Sequence, residues 1–267
     1  MFDLRRRNLM GIMVSMALVS GCAVASSTDD YKPSVGQHGK DVIWVPTPDE
    51  LVEKMLQTAK VKPTDLVYDL GSGDGKIPIM AARKFGARAV GIEYNPDMAR
   101  LGQRNAQQAG VADKVKIIRG DIFVEDFSQA TVVTLYLLPQ LNLRLRPTIL
   151  RMKPGTRVVS HSFDMDDWEP DERISAGGAN GFYWVVPAQM QGDRVLKGLT
   201  DDPAARLKLT QRFQKVEGSV SIKGSNLPIT NGRIDGERLS FEYRQGQSVK
   251  RVVARLVGDT LMVESVR

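Results

Sequence analysis

Helices alternating with short apolar strands, followed by strands without helices, predict an α/β chain. Its expected architecture is a doubly wound parallel sheet followed by a small, mostly antiparallel all-β domain. From Pro48 to about 180, apolar residues switch between helical spacing and short unbroken runs, the pattern of parallel strands covered on both faces. Beyond about Gly181 the helical spacing stops, and glycines punctuate strand-like runs at short intervals.

Leu51, Val52, Met55 and Leu56 recur at helical spacing behind Thr47-Pro48, a plausible cap and first-turn proline. Leu66–Leu70 reads as a buried strand, Ile77–Phe85 as a helix and Ala89–Ile92 as a second strand. Pro96–Ala109 reads as a helix stopped by Gly110. Val115–Ile118 and Thr131–Leu137 are the third and fourth strands. Leu141–Met152 is a helix halted before Pro154-Gly155, and Arg157–Ser160 is a fifth strand.

In the second half Phe182–Pro187, Leu207–Arg212, Gly218–Ile222, Arg238–Tyr243, Val249–Leu256 and Leu261–Val266 read as strands. Asn231-Gly232 and Asp235-Gly236 supply turn chemistry. A meander, sandwich or small barrel fits, and the boundary falls near Ala188 to Gly192.

The first residues read as an address. Arg5-Arg6-Arg7 precede an apolar stretch, Leu9 to Val19, too short to span a bilayer as a helix. Val19-Ser20-Gly21-Cys22 closes it and resembles the bacterial lipobox, in which the cysteine is lipidated and becomes the mature N-terminus. The expected layout is therefore a signal peptide over 1–21, a solvated tether over 22–42, an α/β domain over 43–188 and a β domain over 189–267. The resemblance places the protein in the bacterial envelope, lipid-anchored at Cys22 on the periplasmic side of the outer membrane.

The formal net charge is +6, and removing Asp3, Arg5, Arg6 and Arg7 leaves +4, a mild bias without the Lys/Arg runs that follow phosphates. Nucleic acid is therefore not the expected partner. His38, His161 and the lone Cys22 cannot form a Cys/His zinc cluster, and no EF-hand spacing is present, so no metal is expected.

The chemistry concentrates where the first strand runs into Asp69-Leu70-Gly71-Ser72-Gly73-Asp74-Gly75 and a helix. Glycines there let the backbone turn sharply and approach a ligand beside a helix N-terminus. A nicotinamide fingerprint would need Gly or Ala at position 76, which is Lys76. The pattern acid-x-G-x-G-x-G instead resembles that of Rossmann-like enzymes that use S-adenosylmethionine. In that reading Gly71, Ser72, Gly73, Asp74 and Gly75 form the cofactor loop, and Asp69 orients the loop or meets the methionine ammonium. Glu93 ends the second strand and can accept both ribose hydroxyls. Asp121 can accept from the adenine amino group, with Ile122 packed on the ring. A strand-end acid and a turn acid are the plainer readings of Glu93 and Asp121.

From Asp41 to roughly Ala188 the chain resembles the lysine methyltransferases that act on the ATP-synthase c-subunit and the adenine nucleotide translocase, and their bacterial relatives. The resemblance rests on Val45-Pro46-Thr47-Pro48, the Tyr68–Gly75 stretch, Gly91-Ile92-Glu93, Gly120-Asp121, and Trp168-Glu169-Pro170-Asp171 before Tyr183-Trp184. It implies methylation of protein lysine. The leader and the β domain depart from that family.

An acceptor lysine must lose a proton against a free pKa of about 10.4, and a dry aromatic mouth favours that loss. Tyr136 is the candidate catalytic wall, with Pro139 shaping the turn, and a core tyrosine at a strand end is the equal alternative. Trp44 and Trp168 are candidates for the entrance, and His161 for a base. The competing function is an envelope-anchored binding lipoprotein that keeps the fold without catalysis.

Overall fold

In the computed structural model, which describes residues 31–199, 202 and 205–267, Pro33–Arg267 forms one unit. The leader with Cys22 lies outside the described residues.

β1 (Leu66–Leu70) lies in the middle of a seven-stranded sheet, with β2 (Arg88–Glu93) and then β3 (Val115–Arg119) on one side. On the other side come β4 (Val132–Leu135), β5 (Arg157–His161), β7 (Ala179–Val185) and β6 (Glu172–Ala176). All are parallel except β7, which runs antiparallel between β5 and β6. The β1-to-β2 and β3-to-β4 connections leave in opposite directions from β1, so the sheet has its switch point at the carboxyl end of β1.

Helices α1 (Asp49–Thr58), α2 (Lys76–Phe85), α3 (Pro96–Gln108) and α4 (Pro139–Ile149) cover the sheet. Neighbouring residues of one strand feed different cores: Val132 and Val159 join the faces of α1 and α2, while Val133 and Val158 join Leu145 and Ile149 of α4. Alternation along a strand sends adjacent side chains to opposite faces, so the sheet is wound on both sides and its strands read as unbroken apolar runs.

The second half closes into a barrel, β8 (Gly192–Lys197), β9 (Arg206–Arg212), β10 (Lys215–Ile222), β11 (Ser225–Asp235), β12 (Arg238–Gln245), β13 (Ser248–Val257) and β14 (Thr260–Val266). Closure comes from β14 pairing in parallel with β8, while the other pairs are antiparallel. Leu207, Leu239, Phe241, Val252 and Leu261 fill the interior from alternate positions.

The structure corrects several sequence expectations. Phe182–Pro187 does not belong with the barrel strands; as β7 it completes the α/β sheet, and its partner β6 carried too few apolar residues to be read. Asn231-Gly232 is not a hairpin turn. Pairing continues on both sides of it (Ile229 with Tyr243, Arg233 with Ser240), so the dipeptide is a bulge inside β11, with Asn231 at φ 53°. Residues 33–42, expected to be a solvated tether, instead turn back at Gly36. The amide of Gly36 donates to Trp44 O (2.8 Å) and that of Trp44 to Gln37 O (2.9 Å), laying the arm over the carboxyl end of the sheet.

Gly218 marks the bulge between β10 and β11, with φ at 147°, and a Cβ there would lie 1.9 Å from the carbonyl oxygen of Lys208. Gly218→Ala is expected to lower the stability of the chain by about 2 kcal/mol or more, read as a fall in thermal midpoint. An unchanged midpoint would mean that β9 and β10 are free to separate there.

Candidate cofactor and acceptor site

The carboxyl ends of β1, β2 and β4 converge on one cavity. Its wall includes Asp69, Gly71, Ser72, Gly73, Asp74, Glu93, Asp121, Ile122 and Tyr136, so nine of the residues singled out from the sequence meet in space. Gly75, Pro139, Trp168 and His161 do not line it. Gly75 is the residue before α2, at φ 84°, and a Cβ there would stand 3.3 Å from the Cα of Gly102; its smallness serves the approach of α2 to α3. Pro139 is the first residue of α4, where its fixed φ starts the helix, and it is absent from the wall.

The loop after β1 is held from both sides. The amides of Gly71 and Ser72 donate to Ile92 O (2.9 and 3.0 Å), and the Asn105 side chain donates to Asp74 O (2.8 Å). Glu93 does more than face the cavity: one carboxylate oxygen accepts from the amide of Gly73 (2.9 Å) and the other from the amide of Asn95 (2.8 Å). The Ser72 hydroxyl is buried without a partner and points towards Gly91, so this residue meets the cavity chiefly through its backbone.

Asp69 is buried beside its sheet neighbour Thr134, whose hydroxyl donates to it at 2.6 Å. Burial pushes its carboxyl up to about 7; the Thr134 hydrogen bond opposes this, and the charges of Glu93 and Asp74 add to it. Burial also raises Asp74 and Glu93. Lys76 turns to Asp49 (2.9 Å) and to the carbonyl of Thr47 (3.0 Å). The cavity thus gathers carboxylates short of cations, a site that attracts a positively charged ligand and repels a phosphate.

Asp121 is the exception. Lys40 of the arm binds it at 2.7 Å and holds its carboxyl below the usual range, and the amide of Phe123 donates to its other oxygen at 2.9 Å. Lys40 also lies 4.8 Å from the ring centre of Tyr94. The arm therefore covers the end of the cavity where Asp121 and Ile122 sit. Trp44 lines the cavity from the same arm, whereas Trp168, expected at the entrance, is fully buried between Trp184 and Phe213.

At the other end stand Tyr136, Leu137, Leu138, Leu141 and Phe163. The Tyr136 ring lies 3.8 Å from that of His161 and 6.4 Å from that of Phe163. Thr47 does not cap α1; its hydroxyl shares a 3.0 Å hydrogen bond with His161 Nδ1. Burial pushes His161 down to about 4, so near neutrality it is an uncharged ring backing Tyr136 and too weak a base for an ammonium. Phe163 was not foreseen: no local pattern marks it, because a strained turn after β5 delivers it.

A switch-point cavity with a glycine-rich loop, a buried carboxylate in its wall and a strand-end glutamate defines a methyltransferase that uses S-adenosylmethionine. Residues 69–172 match the model of the ANTKMT methyltransferase domain. A protein-lysine N-methyltransferase of Saccharolobus islandicus is 45% identical over 141 residues, covering 52% of this chain and 88% of that relative. The mouse lysine N-methyltransferase of the ATP-synthase c-subunit is 33% identical over 135 residues, covering 50% of this chain and 54% of that relative. A crystal structure described as an RNA methyltransferase of Salinibacter ruber with S-adenosyl-L-homocysteine is 48% identical, with a TM-score of 0.53, over 60% of this chain and 99% of that one. The chain belongs to the ANTKMT family of S-adenosylmethionine-dependent methyltransferases.

The residues present fit that cofactor. Asp69 and Asp74 would take the methionine ammonium, Glu93 the ribose hydroxyls, and Ile122 with Asp121 the adenine; the carboxylate-rich wall suits the sulfonium charge.

An ammonium ligand binds the charged form of Asp69, whose carboxyl in the ligand-free protein titrates at about 7. Affinity for S-adenosylhomocysteine should therefore fall roughly tenfold from pH 7.5 to pH 6. The folding stability of the ligand-free protein moves the other way: with its folded pKa above the unfolded value, Asp69 favours the native state more as pH drops from about 7 towards 4. Calorimetric titration across pH tests this. Asp69→Asn should bind weakly and lose the acidic limb; an acidic limb that survives in Asp69→Asn would assign it to another group.

Proposed function

We propose that this methyltransferase acts on the side-chain amino group of a lysine in a protein acceptor. One observation carries the reading: the mouth beside the carboxylate-rich wall is aromatic and apolar, and the two lysines lining the cavity are engaged by Asp121 and Asp49. Among the described residues of the wall a phosphate backbone would find no unengaged lysine, and contacts of that kind are what holds nucleic acid. This favours a protein acceptor over the RNA named for the Salinibacter protein. The relatives named as lysine methyltransferases point the same way.

A lysine entering beside Tyr136 and Phe163 leaves water, and because desolvation disfavours its charged form it gives its proton to solvent at the mouth, freeing the lone pair that attacks. The ring faces attract the ammonium as it arrives. S-adenosylmethionine supplies an electrophilic methyl group on a sulfonium. The protein's share is to orient the amine in line with that group and to keep water out, and such positioning accounts for much of the rate. His161 and Thr47 hold the Tyr136 ring in place.

Incubation with labelled donor and fractionated lysate should place the label on lysine side chains. Label in RNA would sink the reading. Tyr136→Ala should lower kcat/KM for the acceptor by about tenfold or more, a loss of about 1.4 kcal/mol, while Tyr136→Phe keeps most of the activity because the ring face is what matters.

We also propose that the chain is lipid-anchored at Cys22 in the bacterial envelope. The support is the sequence of the leader, with basic residues, a short apolar stretch and small residues before the cysteine. Cys22→Ser should move the protein out of the membrane fraction or leave an unprocessed precursor, with the fold unchanged. Mass spectrometry of the native N-terminus decides, and an intact Met1 would overturn the proposal.

A further inference from the structure

The barrel meets the α/β sheet at a place that bears on the acceptor mouth. The loop from Ser162 to Asp171 has its first residues at the mouth and its last on the barrel. At the start, the amide of Phe163 donates to the carbonyl of His161 at 2.7 Å, closing a three-residue turn around Ser162, which sits at φ 62°. A γ-turn of this hand is rare and strained. It is held by its surroundings, and the buried side chain of Asn142 on α4 contributes, donating to the carbonyls of Phe163 (3.1 Å) and Asp164 (3.2 Å).

At the far end the hairpin joining β9 to β10 turns through Phe213 and Gln214, between the paired residues Arg212 and Lys215. The Phe213 ring stacks on buried Trp168 at 6.1 Å with 22° between planes. The buried Gln214 side chain donates to the carbonyl of Glu169 at 2.7 Å. Around this tip three carboxylates at alternate positions, Asp167, Glu169 and Asp171, pair with Arg212, Lys215 and Arg233. The cations of these pairs are well exposed, and exposed pairs contribute little, so the grip rests on the ring and the amide.

We infer that the barrel is a positioning element of the acceptor site: its hairpin tip clamps the Ser162–Asp171 loop and thereby keeps Phe163 in the aromatic mouth. The inference rests on the lysine reading of that mouth. The strained turn at Ser162 would relax if the loop were released at its other end, and Phe163 would leave the wall opposite Tyr136. The glycine loop that holds the cofactor is anchored separately, through Glu93 and Asn105, and is insulated from the clamp.

Phe213 sits at φ 53°, which glycine adopts without strain, so Phe213→Gly removes the ring and leaves the hairpin its shape. Gln214→Ala removes the amide alone. In the full chain, hydrogen exchange over 163–168 should quicken at least tenfold in either variant, with the Gly71–Gly75 loop and strands β12 and β13 unchanged. KM for the acceptor should rise at least fivefold while the affinity for S-adenosylhomocysteine stays within twofold, and Phe213→Tyr should restore both. Unchanged exchange in both variants would overturn the clamp, and so would quickened exchange with an unchanged acceptor KM. If Phe213→Gly loosens the barrel itself, Gln214→Ala decides alone. A wild-type enzyme that methylates no lysine would overturn the lysine reading and, with it, the acceptor role of the clamp; the exchange rates would still decide whether the tip holds the loop.

Discussion

The carboxylate of Asp69, held out of water at the end of the central strand, is the group around which the catalytic half is arranged. Leaving it charged there is costly unless a cation comes to it, and among the described residues its side-chain partner is a hydroxyl, that of Thr134 on the adjacent strand. Its place is decided by the sheet, since β1 is the one strand flanked by neighbours whose connections leave in opposite directions. The same geometry leaves a crevice above its carboxyl end. An unbalanced carboxylate in that crevice converts a common sheet topology into a site with a preference for cationic ligands, and the neighbouring Asp74 and Glu93 strengthen the preference.

The glycine loop then works through its backbone. Its amides are partly spent on Ile92 and on Glu93, so the loop is rigid before any ligand arrives. Glu93 joins two tasks in one side chain, tying down Gly73 and presenting acceptor capacity to the cavity. A site whose loop is tied down in this way needs little rearrangement at the moment of reaction, which suits a reaction governed by alignment.

The arm before α1 and the loop after β5 complete the enclosure, the arm at the Asp121 end and the loop at the Tyr136 end. Both are irregular segments made definite by contacts distant in sequence: Lys40 reaches Asp121, and Trp168 lies under Phe213. The barrel is thus more than an appended unit, since its hairpin tip stacks Phe213 on a buried tryptophan of the catalytic half.

Much of this was legible in the residues alone. Apolar runs and helical spacing are local signals, and they specified the alternating elements and the ordered acids Asp69, Glu93 and Asp121 at or just after successive strand ends. Glycine spacing with Lys76 separated the S-adenosylmethionine pattern from the nicotinamide one. Tertiary structure decided the rest, because the deciding contacts join segments far apart in the chain. The closure of the barrel depends on a parallel pairing of β14 with β8, a short and charged strand with no periodicity to announce it. Asn231-Gly232 has the chemistry of a turn but became a bulge, since strand pairing resumed on both sides of it. His161 looked like a base and became an uncharged support once burial lowered its proton affinity. Gly75 and Pro139 carried the look of site residues and serve helix packing and helix initiation. Phe163 had no signature, because what places it is a strained turn held by partners from another helix and from neighbouring strands. Local sequence determines which elements form and which chemistry stands at their ends; burial, charge and the direction of each side chain are properties of the packed whole.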